Sequence, residues 1–283
     1  MQHYSRRVVG TNFDGRLYPV PERHNKVVIV LGGSEGGLYL AKKQARWLQQ
    51  QGMPALAVGY FRTAHTDRTL SLVPLEGVEE AVMFLQAQGY VHIGILGISK
   101  GAELALVAAS QLPVLSCVVV KTPSWYVGEG LTKKAPSGTS SWVYHRIPLP
   151  YTPYRLRMFH AVRLVLQAGE YNLLSLNVGK RIVPDSIIPV ERIAGPILVL
   201  STRADTIWPS EASGNQLTLR LAQSHYAYSF QHNCYLHMGH FMLERTGLIM
   251  RLLFRSERRW PQACASERQQ MAATVMDWLE YVW

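Results

Sequence analysis

The segment His92-Ile93-Gly94-Ile95-Leu96-Gly97-Ile98-Ser99-Lys100-Gly101 decides the fold of this chain. Its apolar start predicts a buried strand, and the Ala- and Leu-rich residues 100–111 that follow predict a helix. Between them, residues 97–101 match the G-x-S-x-G pattern, in which a serine occupies a sharp strand-to-helix turn. The alternative is a serine that only caps the helix, but a cap needs no glycine on both sides. We therefore predict that Ser99 is a nucleophile.

Short apolar runs alternate with helical segments on both sides of this turn. The predicted strands are 26–31, 55–60, 92–96, 115–121, 196–201 and 228–236, and the predicted helices are 38–51, 75–88, 100–111, 210–223 and about 267–281. Near the start, Asp14-Gly15 is a hairpin-turn signal. This alternation predicts an α/β fold with a mostly parallel central sheet and helices on both of its faces.

The chain has 283 residues and 48% hydrophobic residues, which suits one α/β domain with a large core. We predict a single domain over residues 1–283. The alternation fades between residues 122 and 190, where prolines and aromatic residues are frequent. We interpret 122–190 as a lid or cap insertion, part loop and part helix.

A serine hydroxyl needs a base that takes its proton, and the base needs a carboxylate that orients it. In the order typical of this turn, the acid follows the serine and the histidine comes last. The aspartates after Ser99 are Asp185, Asp205 and Asp277. Asp205 comes just after a predicted strand, so we predict that it is the acid. Its alternative role is that of a turn or cap residue before the next helix.

The base is expected in the loop after the last predicted strand. Two histidines lie there, in Leu236-His237-Met238-Gly239-His240. We favour His240 because it follows a glycine, and we interpret His237 as a surface or supporting histidine.

The tetrahedral intermediate of acyl transfer needs two backbone N–H donors for its oxyanion. We predict the N–H of Lys100, which follows the nucleophile, and the N–H of Ser34 in the glycine-rich loop 32–37. A phosphate cradle is the alternative role for this loop. It lacks both the Gly-Lys-Ser/Thr ending of a P-loop and the spacing of a dinucleotide site.

The formal net charge of +10 suits an anionic partner such as nucleic acid, a membrane surface or a phosphorylated substrate. No nucleic-acid motif occurs, so we expect no nucleic-acid partner. The most basic stretch, 245–259, is interpreted as a solvated helix face, with a surface for a polyanionic ligand as the alternative.

No targeting segment and no membrane span are visible, which predicts a cytoplasmic protein. Cys117, Cys234 and Cys264 are interpreted as buried free thiols, and we expect no metal and no cofactor.

The stretch from Gly94 to Leu106 closely resembles the catalytic domain of the acyl-CoA thioesterase / bile acid-CoA:amino acid N-acyltransferase family, in the α/β-hydrolase superfamily. Further segments resemble the family's glycine-rich loop, its next strand, the segment before the acid strand, and its acid and histidine loops. They are Gly32–Leu38, Ala55–Phe61, Ile188–Ile193, Asp205–Ser210 and Gly239-His240. The resemblance covers roughly residues 8 to 281.

This resemblance implies an α/β-hydrolase fold and cleavage of an acyl-CoA thioester, or transfer of the acyl group to an amine. Ser99, Asp205 and His240 fall on the family's triad positions. Members that transfer to amino acids carry cysteine as nucleophile, so the serine of this chain indicates hydrolysis. Longer members carry an N-terminal β-sandwich domain, whereas this sequence is expected to begin almost directly at the hydrolase.

We therefore predict a serine hydrolase that cleaves acyl thioesters through an acyl-enzyme intermediate. The alternatives are a general carboxylesterase and an acyltransferase to an amine or alcohol on the same triad. A binding module without activity is a further alternative, although every triad position is filled. The predicted partner is a small acyl ester or acyl-CoA.

Overall fold

The computed structural model describes residues 4–21, 25–132, 136–154, 181–247, 251–252 and 254–283. A sheet of eight strands lies at its centre. The strands are β1 (Arg6–Val9), β2 (Asp14–Tyr18), β3 (Lys26–Leu31), β4 (Ala55–Gly59), β5 (His92–Ile98), β6 (Leu115–Lys121), β7 (Ile197–Thr202) and β8 (Phe230–Tyr235). The helices are α1 (Tyr39–Gln50), α2 (Glu76–Ala87), α3 (Lys100–Gln111), α4 (Ser210–Gln223), α5 (Arg255–Arg259) and α6 (Pro261–Asp277), which continues as a π-helical turn (Trp278–Val282).

The strands lie in the order β1-β2-β4-β3-β5-β6-β7-β8. β2 runs antiparallel to both of its neighbours, and every pair from β4 to β8 is parallel. Parallel neighbours need long crossover connections, which the helices supply. The predicted mostly parallel sheet is therefore confirmed.

Helices cover both faces of this sheet. Successive side chains of a strand point to opposite faces. In β3, Val27, Ile29 and Leu31 pack in the core that contains α2, α3 and α4, while Val28 and Val30 pack in the core that contains α1 and α6. All five side chains are fully buried. This burial on both faces explains why β3 is a continuous apolar run rather than an alternating one.

Two local predictions differ from the structure. The first hairpin turns at Gly10–Phe13, where the Gly10 N–H donates to the Phe13 carbonyl, and Asp14 already belongs to β2. The Asp14 carboxylate accepts the backbone N–H of His65. The side chain on which the turn prediction rested therefore binds a distant loop instead of forming a turn. The last helix begins at Pro261, earlier than the predicted 267, because proline suits the first turn of a helix.

Part of the predicted lid, residues 133–135 and 155–180, lies outside the described residues. The rest contains short strands and 3₁₀ turns: Glu129–Leu131, Pro136–Ser140, Trp142–Tyr144, Ile147–Pro148, Pro184–Ser186 and Val190–Arg192. Where a mixture of loop and helix was expected, the described portion thus contains small strands and two 3₁₀ turns. Within the described ranges, no helix is long and apolar enough to span a bilayer.

The loops that carry the predicted site residues all follow the carboxyl ends of the parallel strands. β3, β5, β7 and β8 are parallel, so their carboxyl ends lie together. The glycine-rich loop, Ser99, Asp205 and His240 follow these strand ends in that order. Open α/β sheets bind their ligands at the carboxyl ends of their strands.

Candidate active site

The turn at Ser99 has a strained backbone. Ser99 lies between β5 and α3 with φ 57° and ψ −119°, and its side chain makes no capping hydrogen bond to the helix. A capping residue instead has an extended backbone, and its side-chain oxygen accepts a backbone N–H of the first helical turn. A positive φ in a non-glycine residue costs roughly 1–3 kcal/mol and persists only where the surroundings hold it. The structure therefore disfavours the capping role for Ser99.

The two glycines of the turn permit close backbone contacts. A Cβ on Gly97 would lie 2.1 Å from the Gly101 carbonyl oxygen, and a Cβ on Gly101 would lie 2.0 Å from the Gly32 carbonyl oxygen. Real Cβ atoms do not approach oxygen so closely. The glycines are needed because the turn packs tightly on itself and on the loop after β3.

The predicted acid and base contact each other. The His240 Nδ1–H donates to the Asp205 carboxylate, with Nδ1 2.9 Å from each oxygen, and both side chains are buried. Asp205 Oδ1 also accepts the backbone N–H groups of Ile207 and Trp208, at 3.0 and 2.9 Å. These bonds fix the carboxylate, which in turn fixes the imidazole. A donor at Nδ1 leaves Nε2 as the acceptor that a general base requires.

Ser99 and His240 are joined through two residues at the end of β6. The Ser99 N–H donates to the Lys121 carbonyl at 2.9 Å, and the Thr122 hydroxyl donates to the His240 carbonyl at 3.2 Å. Among the described residues, no hydrogen bond joins the Ser99 hydroxyl to the His240 ring. Such bonds are often long in unliganded enzymes and shorten when substrate binds.

The other candidates lie elsewhere. His237 Nδ1 is 2.8 Å from a carboxylate oxygen of Glu267 in α6, so this histidine supports the loop rather than the base position. Asp277 is exposed in α6, and Asp185 is exposed in a 3₁₀ turn.

The glycine-rich loop after β3 lies beside the nucleophile. A Cβ on Gly33 would lie 3.3 Å from Ser99 Cβ. The Tyr60 hydroxyl is 2.9 Å from the Gly32 carbonyl and 3.2 Å from that of Gly33, and so ties the loop to the sheet. Ser34, the next residue, is exposed, and Lys100 is the first residue of α3. The first N–H groups of a helix have no partner within the helix and carry partial positive charge. The two predicted oxyanion donors thus belong to segments that flank Ser99.

Glu35 is a site residue that the sequence analysis did not identify. Its Oε1 accepts the Gly33 N–H at 3.0 Å, and its buried Oε2 has no hydrogen-bond partner among the described residues. Burial raises the pKa of Glu35, while hydrogen bonds from its own N–H and that of Gly33 and the nearby His240 ring oppose the rise. The carboxyl group therefore lies within electrostatic reach of the base.

A buried ion pair, also not predicted, anchors the nucleophile turn. Lys100 Nζ lies 3.0 and 2.9 Å from the two carboxylate oxygens of Glu103 and 2.8 Å from the Ser141 hydroxyl. Glu103 also accepts the Gly128 N–H and the Trp142 indole N–H. Burial lowers the pKa of Lys100, and the adjacent Glu103 opposes that effect. The i, i+3 spacing of Lys100 and Glu103 on a predicted helix could have indicated the ion pair. Its burial could not be predicted, because the other partners of the two residues are distant in sequence.

Three aromatic residues beside the acid loop have unsatisfied polar atoms. The rings of Tyr126 and Tyr154 lie 6.4 Å from that of Trp208, whose backbone binds Asp205. The two hydroxyls and the indole N–H are buried without a hydrogen-bond partner in the described structure. Buried polar groups of this kind are normally satisfied, so these three atoms are exceptions to the usual pattern.

No cluster suited to a metal ion occurs among the residues described. The cysteines are free thiols, with Cys117 and Cys264 buried as predicted and Cys234 only half-buried. Burial raises the pKa of Cys264 to about 12, which leaves it a poor nucleophile at neutral pH.

The chain resembles known proteins in sequence and in structure. Residues 73–244 match the family model described as BAAT / acyl-CoA thioester hydrolase C terminal. Human acyl-coenzyme A thioesterase 1 is 31% identical over 242 residues, which are 83% of this chain and 52% of that protein. The chain spans about half the length of the curated relatives it matches.

Two solved structures have the same fold. The Pyrococcus furiosus esterase Pf2001 has a TM-score of 0.59 at 15% identity, covering 98% of this chain and 94% of that one. A putative dienelactone hydrolase from Klebsiella pneumoniae has a TM-score of 0.58 at 14% identity, covering 98% of both chains. The α/β-hydrolase fold predicted from the sequence is confirmed. With a family model that matches residues 73–244, the chain belongs to the BAAT / acyl-CoA thioester hydrolase C-terminal family.

Proposed function

We propose that this chain hydrolyses acyl-CoA thioesters with Ser99 as the nucleophile. The observation that carries the proposal is the His240–Asp205 pair, which lies close to the strained Ser99 turn. The Ser99 N–H donates to the Lys121 carbonyl, and the hydroxyl of the next residue, Thr122, donates to the His240 carbonyl. Membership of a family described by acyl-CoA thioester hydrolysis supports the choice of substrate class. No metal or cofactor is needed for this chemistry.

In the acylation step, Ser99 Oγ attacks the thioester carbonyl carbon while His240 Nε2 takes its proton. Asp205 stabilises the imidazolium that forms. The carbonyl oxygen becomes an oxyanion, which the N–H groups of Lys100 and Ser34 bind. When the intermediate collapses, the carbon–sulfur bond breaks, and His240 returns the proton to the CoA thiolate. The acyl group remains on Ser99 as an ester.

In the deacylation step, water replaces the thiol. His240 removes a proton from the water as it attacks the ester carbonyl, and returns that proton to Ser99 Oγ as the acid leaves. In this proposal residues 1–283 act as one domain in the cytoplasm, with 122–190 as the lid.

A panel of acyl-CoAs, assayed beside simple p-nitrophenyl esters with the protein and with Ser99→Ala, tests this function. We expect release of free CoA by the protein and a loss of about 10⁴-fold or more in kcat for Ser99→Ala. Activity on simple esters alone would remove the thioesterase and leave a carboxylesterase. Acylated amine or alcohol formed in the presence of acceptors, instead of free acid, would indicate acyl transfer.

A further inference from the structure

A basic cavity of about 480 Å³ lies along α1, outside the triad. Four cationic residues line it: Lys42, Lys43 and Arg46 from α1, and Arg245 from the loop after His240. Its volume is within the range of small-molecule sites.

The positive charge of this cavity is not neutralised by the protein. Within the described residues, no carboxylate pairs with any of the four cations. Glu244 also lines the cavity, but its carboxylate is buried and bound by the ammonium of Lys121 and the amide of Gln44. α1 itself contains no acidic residue. Like charges one turn apart on a helix destabilise it slightly, and a bound anion would relieve this repulsion.

An exposed aromatic ring lies at one end of the cavity. Tyr39, the first residue of α1, lines it and leaves 71% of its surface exposed. Large exposed aromatic rings offer a face on which a planar base stacks. The cavity therefore combines several cations for phosphate groups with a ring for a base.

The cavity adjoins the catalytic loops. α1 begins just after the glycine-rich loop that carries Ser34, and Arg245 comes five residues after His240. Lys121 contacts both sites, because its carbonyl accepts the Ser99 N–H while its ammonium holds Glu244. A ligand with phosphates along α1, which is about 18 Å long, can extend a flexible arm toward Ser99.

We propose that this cavity binds the nucleotide end of CoA, with the phosphates on Lys42, Lys43, Arg46 and Arg245 and the adenine on Tyr39. The identity of the ligand rests on the proposed function. The binding site itself is a separate claim, because it can hold CoA whether or not Ser99 cleaves the thioester.

Calorimetry with free CoA, adenosine 3′,5′-bisphosphate and pantetheine tests the site directly. We expect CoA and the bisphosphate to bind, with affinities that weaken as salt rises, and pantetheine to bind much more weakly. Lys43→Glu and Arg46→Glu should each weaken CoA binding about tenfold or more, the size expected for loss of one charged contact. The matched control is Arg192→Glu, which makes the same charge change at an exposed position in a 3₁₀ turn. It should alter binding less than about twofold.

Kinetics separate this proposal from the proposed function. For Lys43→Glu, the ratio of kcat/KM for acyl-CoA to that for a p-nitrophenyl ester should fall about tenfold, mainly through KM. No binding of CoA to the native protein, or equal affinities for Lys43→Glu and Arg192→Glu, would overturn the cavity assignment. Failure of the native protein to cleave any acyl-CoA would reject the proposed function, while the calorimetry still decides the site.

Discussion

Exchanging Asp205 for asparagine removes one charge and keeps the shape of the side chain. The asparagine carbonyl can still accept the N–H groups of Ile207 and Trp208, which now bind Asp205 Oδ1. Its amide nitrogen then faces His240 Nδ1, where a carboxylate oxygen lies 2.9 Å away in the native protein. The amide can only donate, whereas the asparagine carbonyl, although equally close to Nδ1, already accepts two backbone N–H groups, so His240 Nδ1 becomes the acceptor. The ring proton moves to Nε2, and His240 can no longer take the proton of Ser99.

This change of tautomer should lower kcat by about 10⁴-fold, or about 5.4 kcal/mol in activation free energy. KM should change little, because Asp205 does not bind the substrate. Release of CoA, followed with a thiol reagent, gives kcat, and thermal unfolding checks the fold. Asp277→Asn is the matched control, since it makes the same substitution at an exposed position in α6 and should leave kcat unchanged. A loss below about tenfold in a well-folded Asp205→Asn protein would refute the reasoning.

Three further predictions concern the surroundings of the triad. Gly101→Ala should destabilise the protein by about 1–3 kcal/mol in urea unfolding, because the new Cβ would lie 2.0 Å from the Gly32 carbonyl oxygen. Glu35→Gln should gain stability relative to the native protein as pH rises above 4.5. The folded-state pKa of Glu35 is raised, so the stability its protonated form contributes is lost as pH passes through that pKa. Glu103→Gln should cost about 3–5 kcal/mol in unfolding free energy, because it leaves the buried Lys100 ammonium without its charged partner.

Each of these three predictions has a control or an outcome that would contradict it. Gly247→Ala should be nearly neutral, since a Cβ there has open space, and equal losses at the two glycines would contradict the packing argument. For Glu35, parallel stability curves for the two proteins between pH 4.5 and 8 would show that burial does not raise its pKa. Glu211→Gln breaks the exposed pair with Arg203 and should cost below about 1 kcal/mol. A similar cost for Glu103→Gln would contradict the role of the buried pair.

The sequence was sufficient to predict those features of the fold and of the site that depend on local sequence patterns and on the order of the strands. The glycines around Ser99, the buried runs of the strands and the position of Asp205 after β7 all predict features that the structure contains. The Gly239-His240 step also favoured His240 over His237 as the base. What the sequence did not show is the partner of His237, because α6 supplies Glu267 from about 30 positions later.

Features that depend on distant segments could not be predicted. Glu35 is a loop residue in the sequence, and only folding brings its carboxyl group near His240. The Lys100–Glu103 pair is completed by hydrogen bonds to Ser141 and Trp142, which lie about 40 positions later in the sequence. The basic cavity likewise joins residues of α1 to Arg245, which are some 200 positions apart. Net charge alone indicated an anionic ligand but not where it binds.

Covalent labelling of Ser99 tests the central claim most directly. The native protein is treated with a fluorophosphonate probe, which reacts with activated serines, and the modified residue is mapped by mass spectrometry of its peptides. The proposed mechanism predicts one phosphonyl group on Ser99, no label on Ser99→Ala, and loss of acyl-CoA hydrolysis in step with labelling. Full acyl-CoA hydrolysis without label at Ser99, or label at another serine with activity retained in Ser99→Ala, would contradict the assignment of Ser99 as the nucleophile.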